Sequence, residues 1–571
     1  MTSGDAVSGS SRVLLALAAV AVAFAAADTY VVVLALPDMM STARIPINEL
    51  QRAAPIVSGF LLGYVAMLPL IGRIADLRGR VPVLVMSLVV FAVGSLVTAL
   101  AYDLPSMVAG RYLQGVGGGG LVPATLALVA DLYPVERRGV PLGIVSAVQE
   151  IGSVIGPLFG AVVLALADWR GIFLINLAVA LVLAAAIRHL AGGEAFAPHR
   201  ARGHPDWIGM VAAAVTLVAG AITMVQPPPL QRDLTWGQLF IPYVGDGRWL
   251  TPIGVTTIVA ALVLAGRCLF AKRPLVDVRA WFAHIRQADL VGALLLAAAL
   301  GGIILAFATA DPEVQVFSEQ GPWFLLGSAL ATAAFLVHLR RAEAPLIPHG
   351  AIRRVPAWGS LLVSFFVGSA LIAALIDIPI FARTTIYRES QLMAALVLVR
   401  FLVALPVGAV VGGFLVRRVP AGVVTAVGMA CASVGFVLMA QWDKHSLENL
   451  SVNGTLLLCG FGFGLALAPV NAALLASTDD TVHGVASALV VVGRMIGMLV
   501  GISALTTIGL RRFYGALADG SSRTEAALIQ EHAVFLGAAV CAAVAGVLAL
   551  VLFRTARTRE LDTAEILRSG H

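Results

Sequence analysis

Polar positions along this chain do not alternate with apolar ones; they interrupt long apolar blocks. Each block runs roughly 18 to 25 residues, the length that crosses ~30 Å of hydrocarbon at 1.5 Å per residue. A bilayer core offers no water to backbone N–H and C=O groups, so such blocks must be helices. The pattern predicts spans over 12–36, 54–72, 83–101, 106–130, 142–166 and 171–190, then 207–225, 251–270, 288–309 and 322–338. The last group covers 357–381, 391–416, 421–440, 455–475, 485–509 and 533–553. The fold class expected is an all-α polytopic membrane protein with sixteen spans, fourteen being the alternative.

The charges between blocks alternate in kind. With the N-terminus inside, the inner loops carry Arg73, Arg78, Arg80, Arg137, Arg138, Arg188, Arg200 and Arg202, then Lys272, Arg273, Arg279 and Arg286. Arg340, Arg341, Arg353, Arg354, Arg417, Arg418, Arg554, Arg557 and Arg559 continue the series. The outer loop 310–321 holds Asp311, Glu313 and Glu319 and no base. Only the loop 476–484 lacks its expected positives. The bias of Lys and Arg toward the cytoplasm places both termini there, in the cytoplasmic (inner) membrane.

Composition agrees: 59% of the 571 residues are hydrophobic and 12% are charged, against about 25% charged in soluble domains. The net charge of +6 is absorbed by the inner loops, so it calls for no nucleic-acid partner. The first block runs into Asp28 and Pro37 without a small-residue cleavage site and reads as a retained helix. Cys268, Cys431, Cys459 and Cys541 lie inside spans without CxxC spacing, as structural thiols; no metal site is expected. The only lysines, Lys272 and Lys444, follow Ala and Asp, so no phosphate-binding loop of an ATP pump is present. An integral-membrane enzyme acting on lipids is the alternative of a different class. It would need a clustered site, and His338, His349 and His445 stand on separate loops.

The blocks divide into an N-terminal six-helix bundle (1–190), a linker with extra central helices (191–356), a C-terminal six-helix bundle (357–553) and a tail (554–571). The central part looks duplicated: Asp206-Trp207-Ile208-Gly209 and Asp289-Leu290-Val291-Gly292 open two helix pairs. A stronger repeat relates the outer bundles. Gly152, Gly156 and Gly160 in the fifth helix of one correspond to Gly493, Gly497 and Gly501 in the fifth of the other. Small residues every four positions permit close approach of helices in lipid. Their matching place in two bundles is the pseudo-symmetry of a transporter built from repeats.

Several segments then line up with a known family. Gly72-Arg73-Ile74-Ala75-Asp76-Leu77-Arg78-Gly79-Arg80 is close to a G-x-L-A-D-R-x-G-R/K signature, and Arg111-Tyr112-Leu113-Gln114-Gly115 resembles R-x-x-Q-G. Gly152-Ser153-Val154-Ile155-Gly156-Pro157-Leu158-Phe159-Gly160 looks like an antiporter motif. Asp28-Thr29-Tyr30-Val31-Val32-Val33-Leu34-Ala35-Leu36-Pro37 is similar to D-x-T-x-x-x-x-A-L-P, and Trp169-Arg170-Gly171-Ile172-Phe173-Leu174-Ile175-Asn176 matches a segment opening helix 6. Together they resemble the major facilitator superfamily, in its drug:proton antiporter branch with extra central helices. The nearest likeness is to mycobacterial exporters of triacylglycerol and drugs that work with a periplasmic lipoprotein. That resemblance implies a monomeric exporter of lipophilic molecules, driven by a proton gradient without a cofactor, with a possible lipoprotein partner. Multidrug efflux without a lipid role is the alternative within transporters. Gly72, Arg73, Asp76, Gly79 and Arg80 would form the cytoplasmic gate, and Gly152, Gly156, Pro157 and Gly160 the antiporter motif. The counterpart Gly413-Phe414-Leu415-Val416-Arg417 lacks the Asp, so gating charge would be asymmetric.

A charge near the bilayer centre costs about 2.5–3.5 kcal/mol on insertion scales, so each needs a reason. Asp28, Arg111, Glu150, Asp377, Arg400 and Arg494 are the candidates for proton coupling. Asp28 lies ~25 Å along its helix from the inner end, and Arg111 ~8 Å from the outer start of its own. An Asp28–Arg111 pair is therefore possible, as a static ion pair or as part of coupling. Glu150 and Arg494 lie at matching depths, Arg400 nearer the outer side. Asp377 lies near an outer helix end, within reach of headgroups. A carboxylate neutralised by Arg in one conformation and protonated in another is what proton antiport requires. The positive-inside rule alone explains the gate arginines but not Asp76.

Overall fold

The structure, a computed structural model, describes residues 9–45, 50–134, 137–191, 206–245, 247–271, 274–308, 320–342, 345–348, 350, 352–387, 391–479, 482–556 and 558. The loop 310–319, on which part of the charge alternation rests, and most of the linker and tail lie outside these residues.

Six long helices come first: α1 (Gly9–Thr42), α2 (Leu50–Arg78), α3 (Arg80–Ala99), α4 (Leu104–Leu132), α5 (Gly139–Leu166) and α6 (Arg170–Leu190). The central region adds α7 (Trp207–Val225), a short α8 (Pro228–Gln231), α9 (Pro252–Phe270), α10 (Val278–Gln287), α11 (Leu290–Ala308) and α12 (Gly321–Arg341). Six more close the chain: α13 (Val355–Thr384), α14 (Gln391–Leu415), α15 (Ala421–Met439), α16 (Ser451–Leu475), α17 (His483–Ala518) and α18 (Arg523–Leu552). Fifteen of these contain an apolar stretch long enough to cross a membrane. The 28-residue α5 is a further helix of spanning length.

Helix ends are set by local chemistry. Asp103 caps α4 by accepting from Ser106 N at 3.0 Å, and the Ser106 hydroxyl returns toward the Asp103 amide; such a reciprocal pair satisfies donors the first helical turn leaves free. Gly79, at φ +97°, makes the tight break between α2 and α3 that a side chain would strain.

The two outer blocks repeat one packing scheme. In the first, α1 lies on α5, α2 on α4, and α3 on both α4 and α6. In the last, α13 lies on α17, α14 on α16, and α15 on both α16 and α18. The glycine stripes set the closest contacts. A methyl on Gly156 would run into the Ala27 carbonyl of α1, and one on Gly497 into the Phe365 carbonyl of α13. Without a hydrophobic drive between helices in lipid, such backbone proximity is what holds a pair together. The halves meet where α5 packs on α14 and α2 on α17.

The central helices are peripheral: the apolar windows of α9 and α12 are 17% and 11% buried, that of α4 89%. Their duplication is visible in the caps. Asp206 accepts from Gly209 N at 3.0 Å and pairs with Arg267 of α9 at 2.7 Å. Asp289 accepts from Gly292 N at 2.9 Å and meets His338 of α12 at 2.8 Å. The Arg267 guanidinium, with the Gly209 amide, holds the Asp206 carboxyl below the usual carboxylate range. α7 packs with α9, whereas α11 packs on α12 and also on α2 and α17.

Candidate functional site

In the first bundle the intramembrane charges meet. Asp28 of α1 is 2% exposed, and its Oδ2 lies 2.5 Å from Arg111 Nη1 of α4. Asn176 Nδ2 of α6 donates to the other oxygen, Oδ1. Arg111 Nη1 also donates to Gln114 Oε1 at 2.9 Å, and Gln114 Nε2 donates to Ser95 Oγ of α3 at 2.9 Å. Arg111 and Gln114, three residues apart, share one face of α4, which is what lets them act together. The Arg111 guanidinium rests on the Phe60 ring of α2, 4.4 Å from its centroid. Four helices thus contribute polar groups to one apolar interior. Among the described residues Arg111 Nε has no partner, so the guanidinium keeps a spare donor. Gln114 and Asn176 belong to the family-like segments of α4 and α6, but the sequence assigns no role to either.

A second cluster joins the halves at the end that carries the Arg-rich loops. Asp76, near the C-terminus of α2, accepts from Gly484 N at 2.9 Å and Val485 N at 3.2 Å. These are amides of the first turn of α17, a terminus that favours an anion through its free donors and dipole. Arg80 pairs with Asp76 at 3.1 Å and with Asp131 of α4 at 3.2 Å. A methyl on Gly72 would press on the Gly484 carbonyl at 2.6 Å, so the two glycines let α2 and α17 touch by backbone. Arg73 is half-buried one turn earlier, and Arg78 lies over the Trp281 ring of α10 at 4.2 Å.

Above this contact a cavity of about 20 Å³ opens between the halves, lined in part by Ser146, Gln149, Ser364, Asn471 and Arg494. That is room for a water molecule among groups able to hold one. Arg494 is therefore brought to the seam between bundles. The Glu150 side chain, like that of Pro157, lies outside the described residues. Arg400 stands apart and donates to Asn453 Oδ1 of α16 at 3.0 Å.

Asp377 does not reach outward for headgroups: it is 6% exposed, enclosed where α13 packs on α18. Near it lies an acid the sequence reading missed, Glu531 of α18, 1% exposed. The last span was expected to begin at 533, which left Glu531 in a loop; α18 begins at Arg523 instead. A signal was available. Ser522-Arg523-Thr524-Glu525 is a capping box, with Ser522 Oγ accepting from Glu525 N at 3.3 Å and Glu525 reaching back to Ser522 N at 3.0 Å.

Residues 18–340 and 290–502 match the family model described as Major Facilitator Superfamily. The chain belongs to this superfamily. It is a multi-pass membrane transporter, and not an enzyme. Superfamily relatives of similar length include the triacylglyceride transporter of Mycolicibacterium hassiacum, 36% identical over 88% of this chain and 80% of the relative. The triacylglyceride transporter of Mycobacterium tuberculosis strain H37Rv is 34% identical over 92% of this chain and 88% of its own. Among solved structures, the MFS proton:xylose symporter XylE aligns with TM-score 0.55 at 13% identity, over 98% of this chain and 100% of that one. The human organic anion transporter MFSD10 gives TM-score 0.53 at 13% identity, over 94% and 99%. At that identity the likeness speaks for the superfamily fold alone.

Proposed function

We propose that this transporter is a proton-coupled exporter of lipophilic molecules, triacylglycerol-like lipids foremost, working by alternating access in the cytoplasmic membrane with both termini cytoplasmic. The observation that carries the reading is Asp28, a buried carboxylate whose every partner can be exchanged. It is held by Arg111, which has a second acceptor in Gln114, and by Asn176, which carries no charge. A rearrangement within the first bundle, coupled to the rocking, that draws α4 from α1 leaves Asp28 in an apolar interior without its cation, and there a proton replaces the guanidinium. When the bundles rock back, Arg111 expels the proton.

Asp76, Arg80 and the glycines Gly72 and Gly484 act as the cytoplasmic gate, closed in this conformation; Arg73 and Gly79 complete it. Glu150 and Arg494 form the coupling group at the seam, with Arg400 and Asp377 as outer members. The lipid assignment draws on the relatives being triacylglyceride transporters and on the scarcity of polar side chains within the bundles. A periplasmic lipoprotein would receive the cargo outside.

The test is reconstitution in vesicles with an imposed pH gradient, following a triacylglycerol and a lipophilic dye. The gradient should accelerate export by the native protein, and Asp28→Asn and Glu150→Gln should lose that dependence. A native protein indifferent to the gradient refutes antiport. Variants that export like the native chain refute the assignment of the acids. Dye export with no lipid movement favours multidrug efflux.

A further inference from the structure

In the last bundle, two acids share one helix interface. Gly359 of α13 lies against Leu552 of α18, where an added methyl would meet the leucine Cβ at 2.8 Å. From that crossing Asp377 lies eighteen residues along α13, and Glu531 twenty-one residues back along the antiparallel α18. At 1.5 Å per residue the two acids therefore stand within about 5 Å of the same level. Aromatic rings one turn from each acid close the gap: Phe381 and Phe535 have centroids 6.4 Å apart. Glu531 extends the buried stripe of Phe535, Ala538, Ala542, Ala545 and Ala549 by one turn, so its carboxyl points along the face that packs inward.

Among the described residues neither carboxyl has a cation. Both oxygens of Glu531 are buried without a hydrogen-bond partner, and the one charge that acts on it is Asp377. The charged groups on neighbouring elements face away. Arg511 and Arg512 of α17, Arg383 at the end of α13, Arg523 and Glu525 at the start of α18, and Asp443, Lys444 and His445 after α15 are exposed. His532 is engaged with the Trp442 carbonyl at 2.6 Å, and Arg400 with Asn453.

Two carboxylates cannot both stay ionised in such a place: each is desolvated and each repels the other. We propose that Asp377 and Glu531 form a second proton-binding site, a carboxyl–carboxylate pair that shares one proton between α13 and α18. Glu531 is eight residues, or ~12 Å, from the start of its helix, at the end opposite the Asp76 contact, so the site exchanges protons with the other side of the membrane. The inference deepens the reading of Asp377 as an outer coupling acid and supplies its partner.

The experiment uses the full chain in lipid vesicles and N,N′-dicyclohexylcarbodiimide, which couples to protonated carboxyls in apolar surroundings, with adducts mapped by mass spectrometry. At neutral pH an adduct should form on Glu531 or Asp377, unaltered when sodium replaces choline. It should fall about tenfold per pH unit above the midpoint of the pair. Asp377→Asn should move the pH at which Glu531 labelling is half lost, because the proton is no longer shared. Thermal unfolding identical to native checks that this near-isosteric variant is folded. No adduct on either acid, or a Glu531 midpoint indifferent to Asp377, overturns the proposal. Selective protection by sodium also overturns it, in favour of a metal-cation site. The readout needs neither cargo nor gradient. Its failure leaves antiport through Asp28 standing, and normal labelling in a chain that does not export removes only the transport reading.

Discussion

The two six-helix bundles share a skeleton and differ in charge. Gly156 meets Ala27 in the first and Gly497 meets Phe365 in the last, so the residue after each, Asp28 and Phe366, occupies equivalent places. One bundle puts an acid there and surrounds it with Arg111, Asn176, Gln114 and Ser95. The other puts a phenyl ring there and buries its acids elsewhere, Asp377 with Glu531, without a base among the described residues. Backbone packing is copied between repeats because close helix contact leaves little freedom. Electrostatics diverges because a buried acid can be neutralised in two ways, by a guanidinium or by a proton.

Five single variants and one double variant test that contrast, the largest effect first. Arg111→Ala strands Asp28 as an unpaired buried charge and should cost about 3–5 kcal/mol, seen as a large fall in thermal midpoint; Asp28→Asn on top should recover much of it. Gly156→Val and Gly497→Val should each cost about 1–3 kcal/mol or somewhat more through overpacking. Equal losses in the two would confirm that packing is the shared part, and a loss confined to one would break the equivalence. Asn176→Ala removes one hydrogen bond to a charged group, about 1.5–3 kcal/mol, and should be milder than loss of the guanidinium. Glu531→Gln should change stability least, by no more than about 1 kcal/mol, the size of an ordinary hydrogen bond. A collapse of that variant would mean that Glu531 is ionised and paired.

The sequence announces the skeleton clearly. Block length gave the helices, and the spacing of Gly152, Gly156 and Gly160 against Gly493, Gly497 and Gly501 showed the duplication that α1/α5 and α13/α17 display. Depth counting also placed Asp28 and Arg111 at one level, since rise per residue is fixed in a membrane helix. Partners that depend on rotation about the helix axis were illegible. Asn176 on α6 and Ser95 on α3 join the network only through the way four helices face one another, and an apolar surface on every side of a helix hides that orientation. Asp76 was read as more than a charge balance, but its donors are backbone amides, which have no letter in the sequence. Glu531 escaped because hydropathy trims helices that rise beyond the hydrocarbon, and α18 starts ten residues before the apolar stretch expected for it.

The placement of α11 makes the two seams between the bundles unlike each other. The two bundles meet along two lateral seams, one where α2 packs on α17, the other where α5 packs on α14. α11 lies across the first and touches both of its walls, so a tail sliding sideways from the leaflet meets a helix there. Among the described residues the second seam keeps bare apolar flanks, with Ile144 of α5 and Val407 of α14 facing outward. Under the proposed lipid export, an acyl chain would then have one doorway instead of two, with α11 as the doorpost that sets the side of approach.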